Sequence, residues 1–135
     1  MKKILIVLAA IMLLLGCGDG GGGSHSGGYS GPLPTVVFSS YESAPNSNTG
    51  IARGNVTSDG GNPPVFERGF CWGTTPNPSK ENGTCISTSA GTGPFSEVIM
   101  GVLNDNTIVY YMRAFASNPV GTGWSWGGQI TLKTR

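Results

Sequence analysis

Glycine and proline interrupt nearly every stretch of this chain that is long enough to form a helix, because 23 glycines and 9 prolines are spread over 135 residues. No stretch keeps the 3.6-residue period of apolar residues that a helix requires for as long as three turns. The apolar residues fall instead into short runs rich in valine, isoleucine, threonine, phenylalanine and tyrosine, separated by turn-forming residues. We predict an all-β sandwich or barrel of seven strands, at about residues 35–43, 50–57, 65–74, 84–89, 95–103, 108–118 and 124–134.

The sixth run has the strict alternation expected of a strand that packs one face against a core. Its two sets are Ile108, Tyr110, Met112, Ala114 and Ala116 on one side, and Val109, Tyr111, Arg113 and Phe115 on the other. We assign the first set to the core. By the same alternation, Phe70 and Trp72 of the third run and Ile130 and Leu132 of the last run are expected in the core.

The last run contains two tryptophans whose placement the pattern leaves open. Trp124 and Trp126 share the parity of Ile130, which directs both toward the core. A bulge at Gly127-Gly128 would instead shift the register and leave one of them exposed.

The first seventeen residues have the pattern of an export signal. Lys2-Lys3 precedes an apolar run that ends in Leu14-Leu15-Gly16-Cys17. This run is too short for a membrane-spanning helix, which needs about twenty apolar residues. Leu-Leu-Gly-Cys resembles the bacterial lipobox, which implies cleavage after residue 16, a lipid on Cys17 and stable anchoring by several acyl chains. The alternative is an ordinary secretory signal with Cys17 as a stray thiol.

The composition of residues 17–32 predicts a flexible tether between the lipid and a domain at residues 33–135. Eight glycines lie in this segment, and a glycine-serine chain of this length spans about 20 Å. His25, the only histidine, lies inside it. Gly18 stands where an aspartate would favour retention at the inner membrane, so the resemblance favours the outer membrane or cell surface.

Charge and residue inventory exclude several functions. Removing Lys2 and Lys3 with the signal leaves six basic and seven acidic residues, which gives no electrostatic footprint for nucleic acid. With no histidine in the folded part, no Ser-His-Asp or Cys-His arrangement can form. Structural zinc lacks ligands. We therefore expect a protein that is not an enzyme and has no cofactor or metal; the alternative that spacing alone leaves open is a glycosidase pair among the scattered carboxylates.

Several ordered motifs resemble one family of β-sandwiches. They are Gly54-Asn55-Val56-Thr57-Ser58-Asp59-Gly60-Gly61, Arg68-Gly69-Phe70-Cys71-Trp72, Pro76-Asn77-Pro78, Gly91-Thr92-Gly93-Pro94-Phe95, the 110–118 run and Gly121-Thr122-Gly123. Together they are similar to the fibronectin type III-like modules of exported proteins from Bacteroidetes, Fibrobacter and related bacteria.

The resemblance covers residues 34–135 and implies a seven-stranded antiparallel, immunoglobulin-like sandwich without catalytic residues. It also implies that the Tyr110 hydroxyl bonds to upstream backbone, as in a tyrosine corner. This chain departs from the family at that turn. Asp105 stands in place of proline, and Ile108-Val109 separate Thr107 from Tyr110.

Two cysteines remain once Cys17 carries the lipid. Cys71 and Cys85 lie on the third and fourth runs, which such a sandwich places side by side, in a compartment where thiols oxidise. A disulfide between them is expected. The alternative is that Cys71 is a small half-buried residue without a partner.

The face of the sixth run opposite the core is a candidate binding surface. Tyr111, Arg113 and Phe115 would lie there next to Glu67 and Cys71, and aromatics among polar groups can bind sugars or peptides. The alternative is that they are ordinary outer-face residues. The sequence thus predicts either a membrane-anchored binding module for a protein or glycan partner, or a passive structural lipoprotein of the envelope.

Overall fold

The computed structural model describes residues 30–45, 47–61, 64–103, 107–126 and 128–130. The predicted signal, Cys17 and most of the tether lie outside these residues. The strands are β1 Thr35–Ser43, β2 Thr49–Ser58, β3 Glu67–Gly73, β4 Thr84–Thr88, β5 Gly93–Met100, β6 Tyr110–Asn118, β7 Gly121–Trp124 and β8 Gly128–Ile130. The described residues contain no helix, and hence none long and apolar enough to cross a membrane.

All strand pairs are antiparallel, and they form two sheets. One sheet has the order β1-β2-β5, and the other has the order β4-β3-β6-β7, with β8 also paired to β6. Because β7 and β8 are two segments of one predicted strand, the prediction of a seven-stranded all-β sandwich is confirmed.

The last predicted strand is split by a one-residue shift in register. Trp124 pairs with Phe115, whereas Gly128 pairs with Met112. Between these pairs, the Ser125 N–H donates to the Ala114 carbonyl oxygen at 2.9 Å. The Ser125 hydroxyl accepts the Ala114 N–H, also at 2.9 Å. A side-chain oxygen thus takes the place of a main-chain carbonyl, and the edge of the sheet is interrupted after Ser125.

The core lies between the two sheets and is centred on aromatic rings. Phe70 and Trp72 are buried, as predicted from their alternation. Phe70 stacks on Phe95 with 4.8 Å between ring centroids and meets Phe38 edge-on at 6.2 Å. Burying such side chains contributes about 1.5–3 kcal/mol each. The side chains of Ile130 and Leu132 lie outside the described residues.

The contact predicted for Tyr110 is present. Its ring is buried, and its hydroxyl accepts the Leu103 N–H at 3.3 Å. This contact ties the start of β6 to the loop that precedes it. Asp105, where the chain departs from the family pattern, lies outside the described residues.

The chain enters the sandwich at the end formed by the β6–β7 turn. The Asn118 amide donates to the Asp59 carbonyl oxygen at 2.9 Å and to the Pro32 carbonyl oxygen at 3.4 Å. Its side-chain oxygen accepts the N–H groups of Val120 and Gly121. One buried amide therefore holds the entry of the chain against two loops.

Candidate functional site

The surface of the larger sheet that faces away from the core, here called the outer face, carries the disulfide. Cys71 and Cys85 are directly opposite in the β3–β4 ladder and are bonded, with 4.1 Å between their Cα atoms. Such a close approach is typical of antiparallel pairs without mutual hydrogen bonds. The predicted disulfide is confirmed.

The outer face also brings together the predicted binding residues. Arg113 is opposite Cys71, Phe115 is opposite Gly69, and Tyr111 lies two residues before Arg113 on β6. Tyr111 and Arg113 are half-buried. The alternation along β6 therefore placed the three residues on one face correctly.

The expected exposure of Phe115 is wrong, because 0% of this residue is accessible to solvent. The Trp124 ring packs against Phe115 with centroids 5.4 Å apart, and the Lys80 ammonium lies 4.6 Å from the Phe115 centroid. A Cβ atom at position 69 would lie 3.0 Å from the Phe115 ring. The ring can occupy this space because residue 69 is a glycine. Phe115 belongs to a small second core.

The cover comes from residues 74–83, here called the strap, which connect β3 to β4. Pro78 of the strap is buried, and its carbonyl oxygen accepts the Arg113 Nε–H at 2.6 Å. The Lys80 ammonium pairs with the Glu67 carboxylate at 2.6 Å. Sequence reasoning missed this arrangement because Pro76-Asn77-Pro78 indicated only a turn, and nothing local shows where a turn folds back.

Two outer-face groups have shifted pKa values. Burial alone would raise the pKa of Glu67, but hydrogen bonds from Lys80 and Ser87 and the charge of Lys80 outweigh it, so the pKa lies below its ordinary value. Burial lowers the pKa of Arg113, which still leaves a guanidinium charged at neutral pH. The strap is therefore held to the sheet by a charged network.

Trp126 is the most exposed large apolar residue in the described part of the chain, with 97% of its surface accessible. It follows Ser125, where the edge of the sheet is interrupted. Between the pairs Ser125–Ala114 and Gly128–Met112, only Arg113 remains on β6. The Trp126 backbone therefore lies beside Arg113.

Trp124 is packed rather than exposed. The Arg113 guanidinium carbon lies 4.1 Å from the centroid of its ring. The parity that Trp124 shares with Ile130 directed it toward the core, and this is wrong, because the register shift after Ser125 leaves Trp124 opposite Phe115 on the outer face while Ile130 is opposite Tyr110. Trp124 supports Arg113, and Trp126 is presented to solvent.

The described residues also line two clefts that include neither Arg113 nor Trp126. One, of about 400 Å³, is lined in part by Ile51 and Val98 of the smaller sheet. The other, of about 440 Å³, is lined in part by Thr74 and Glu81 of the strap. Within the described residues, no three His, Cys, Asp or Glu side chains are grouped as a metal site would require.

The chain matches no protein-family model, and no curated protein is significantly similar to it. Its function is therefore inferred from the geometry of the outer face. The outer face carries a guanidinium stacked on an indole and a half-buried phenol, and the exposed Trp126 has its backbone beside that guanidinium.

Proposed function

We propose that this chain is a lipid-anchored protein of the cell envelope whose fibronectin type III-like sandwich is a non-catalytic module that binds a protein or glycan. The observation that carries the proposal is the exposed indole of Trp126, a residue whose backbone lies beside Arg113. Tryptophan and arginine are the residues most enriched at the energetic centres of interfaces.

The local backbone supports a binding role for Trp126. Ser125 bonds to both the N–H and the carbonyl oxygen of Ala114. The interruption of the sheet edge after Ser125 therefore leaves Ala114 with no unpaired main-chain group. Bulges commonly re-aim a side chain at a functional site. Arg113, fixed between Trp124 and the Pro78 carbonyl oxygen, needs little further ordering when a ligand binds.

The anchor and the family are supported by different features. Lys2-Lys3, the apolar run and Leu-Leu-Gly-Cys support lipidation of Cys17, and the glycine-rich segment supports a tether. The two antiparallel sheets and the Tyr110 hydroxyl contact support the fibronectin type III-like assignment. An outer-membrane or cell-surface location remains part of the proposal.

The second candidate function is a passive spacer in an envelope assembly. The buried state of Phe115 favours it, because the strap and Trp124 cover what would otherwise be the aromatic centre of a wider binding surface. The two functions differ in whether any surface residue contributes to retention on a partner.

Retention on envelope material separates the two functions. The full-length protein, solubilised in detergent, is sedimented with cell-wall sacculi or surface polysaccharide from the producing cells. Trp126→Ser is compared with Phe66→Ser, a matched control because Phe66 is also an exposed aromatic, with 57% of its surface accessible. Trp126→Ser is expected to weaken retention about tenfold, and Phe66→Ser to leave it unchanged. Equal retention of all three proteins, or none by the unmodified protein, would favour the spacer.

A further inference from the structure

We propose that the surface formed by Tyr111, Arg113 and Trp126 binds an acidic sugar, that is, a pyranose that carries a carboxylate. This inference rests on the proposed binding function and names its ligand class. Arg113 would hold the carboxylate, and the Trp126 indole would lie against the sugar ring.

Among the described residues, no carboxylate forms an ion pair with Arg113. The ion pairs of the described residues are Arg53–Glu42 and Lys80–Glu67, and Arg113 belongs to neither. Its Nε–H donates to the Pro78 carbonyl oxygen, which is neutral. A planar guanidinium matches the two oxygens of a carboxylate, so an acidic group on the ligand complements this site.

Trp126 supplies the apolar part of the site. One face of a pyranose ring consists largely of C–H groups, and an exposed indole offers a flat apolar surface with a negative quadrupole face. Because the Trp126 backbone lies beside Arg113, a ring on the indole can direct a carboxylate toward the guanidinium. Tyr111 adds a phenol on the same face of β6.

The shape of the edge disfavours an extended acidic peptide. Peptides that add to a sheet use a continuous ladder of main-chain N–H and C=O groups. Here the ladder shifts by one residue between Ser125 and Gly128, and the Ser125 hydroxyl replaces a main-chain acceptor. A sugar needs no such ladder.

Calorimetric titration of the detergent-solubilised full-length protein tests the ligand class. The probes are a galacturonate trisaccharide, its methyl ester, which keeps the ring but removes the charge, and a short polyglutamate peptide. The acid is expected to bind about tenfold more tightly than the ester, and its affinity is expected to fall as salt is added. Trp126→Ala and Arg113→Lys should each weaken binding of the acid, whereas Arg53→Gln, on the other sheet, should not.

Each outcome bears on the inference separately from the proposed function. Equal affinity for the acid and the ester, or binding that Arg113→Lys leaves intact, would overturn the acidic assignment. Equal or tighter binding of polyglutamate would overturn the sugar assignment. No binding of either sugar, with Trp126-dependent retention on envelope material intact, would refute the inference and leave the proposed function standing. Circular dichroism of each variant confirms that the fold is retained.

Discussion

At the scale of single residues, two tyrosines near each other in the sandwich differ in what their hydroxyls contact. The Tyr110 hydroxyl accepts the Leu103 N–H at 3.3 Å. The Tyr41 hydroxyl is buried and has no hydrogen-bond partner in the described structure. Burial, together with nearby Tyr110, raises the pKa of Tyr41. The same chemical group is therefore satisfied at one position and left desolvated at the other.

Removing each hydroxyl should have different effects. Tyr110→Phe is expected to lower the free energy of unfolding by about 0.5–1.5 kcal/mol, because the hydrogen bond from the Leu103 N–H to the hydroxyl is lost. Tyr41→Phe should be neutral or stabilising, because it removes an unpaired polar group. Urea denaturation of both variants measures this. An unchanged midpoint for Tyr110→Phe would contradict the assigned contact.

Glu67 makes stability depend on pH. Its folded-state pKa lies below the ordinary value of 4.5, so its contribution is present above that value and is lost as the pH falls through the folded-state pKa. Glu67→Gln should lower stability at neutral pH and flatten the loss of stability on acidification. Thermal unfolding between about pH 3 and 7 tests this. Glu81→Gln, an exposed carboxylate on the strap, is the control and should leave the profile unchanged.

At the scale of elements, β3 depends on one glycine and tolerates change at another. A Cβ at Gly69 would meet the Ile86 carbonyl oxygen at far less than contact distance, and the Phe115 ring at 3.0 Å. A Cβ at Gly73 of the same strand would have no neighbour closer than 3.8 Å. The difference arises because Gly69 lies beneath Phe115 and beside β4.

Gly69→Ala is expected to destabilise the fold by about 1–3 kcal/mol, since β4 or the Phe115 ring must move to admit the methyl group. Gly73→Ala should change stability little. Denaturation midpoints measure both effects. Equal midpoints for the two variants would show that the outer face is not packed as described.

The disulfide joins β3 to β4, which is one of the two edge strands of the larger sheet. It closes a loop with a sequence separation of 14, which in the chain-entropy estimate stabilises the fold by about 3 kcal/mol. The double variant Cys71→Ala, Cys85→Ala should lose stability of that order in a denaturation experiment. When protein purified without reductant is unfolded and alkylated, Cys71 and Cys85 should stay unlabelled. Two labelled thiols would contradict the bond.

At the scale of the whole molecule, the lipid should decide where the protein is found. Cys17 lies outside the described residues, and its role is a prediction from the sequence. Cys17→Ser should move the protein from the membrane to the soluble fraction and abolish the mass added by lipidation, because the hydroxyl cannot take the place of the thiol. The lipoprotein assignment would be refuted if the Cys17→Ser variant stayed in the membrane fraction and had the same mass as the unmodified protein apart from the substitution itself.

The sequence by itself determined the class of fold, the approximate positions of the strands along the chain and much of the alternation. These follow from local rules, because a strand with one face in a core repeats every two residues, and glycine and proline mark turns. The burial of Phe70 and Trp72 could be predicted on this basis. The Tyr110 contact and the pairing of Cys71 with Cys85 were predicted instead from the resemblance to fibronectin type III-like sandwiches.

Only the tertiary structure decided which outer-face residues meet solvent. The strap folds over the sheet and, with Trp124, buries Phe115. A one-residue register shift after Ser125 puts Trp124 and Ile130 on opposite faces although they share parity, and Trp126 is exposed. These outcomes depend on contacts between residues far apart in the chain, such as Arg113 Nε with the Pro78 carbonyl oxygen. Alternation assigns a side chain to a face, but it contains no information about which loop will cover that face.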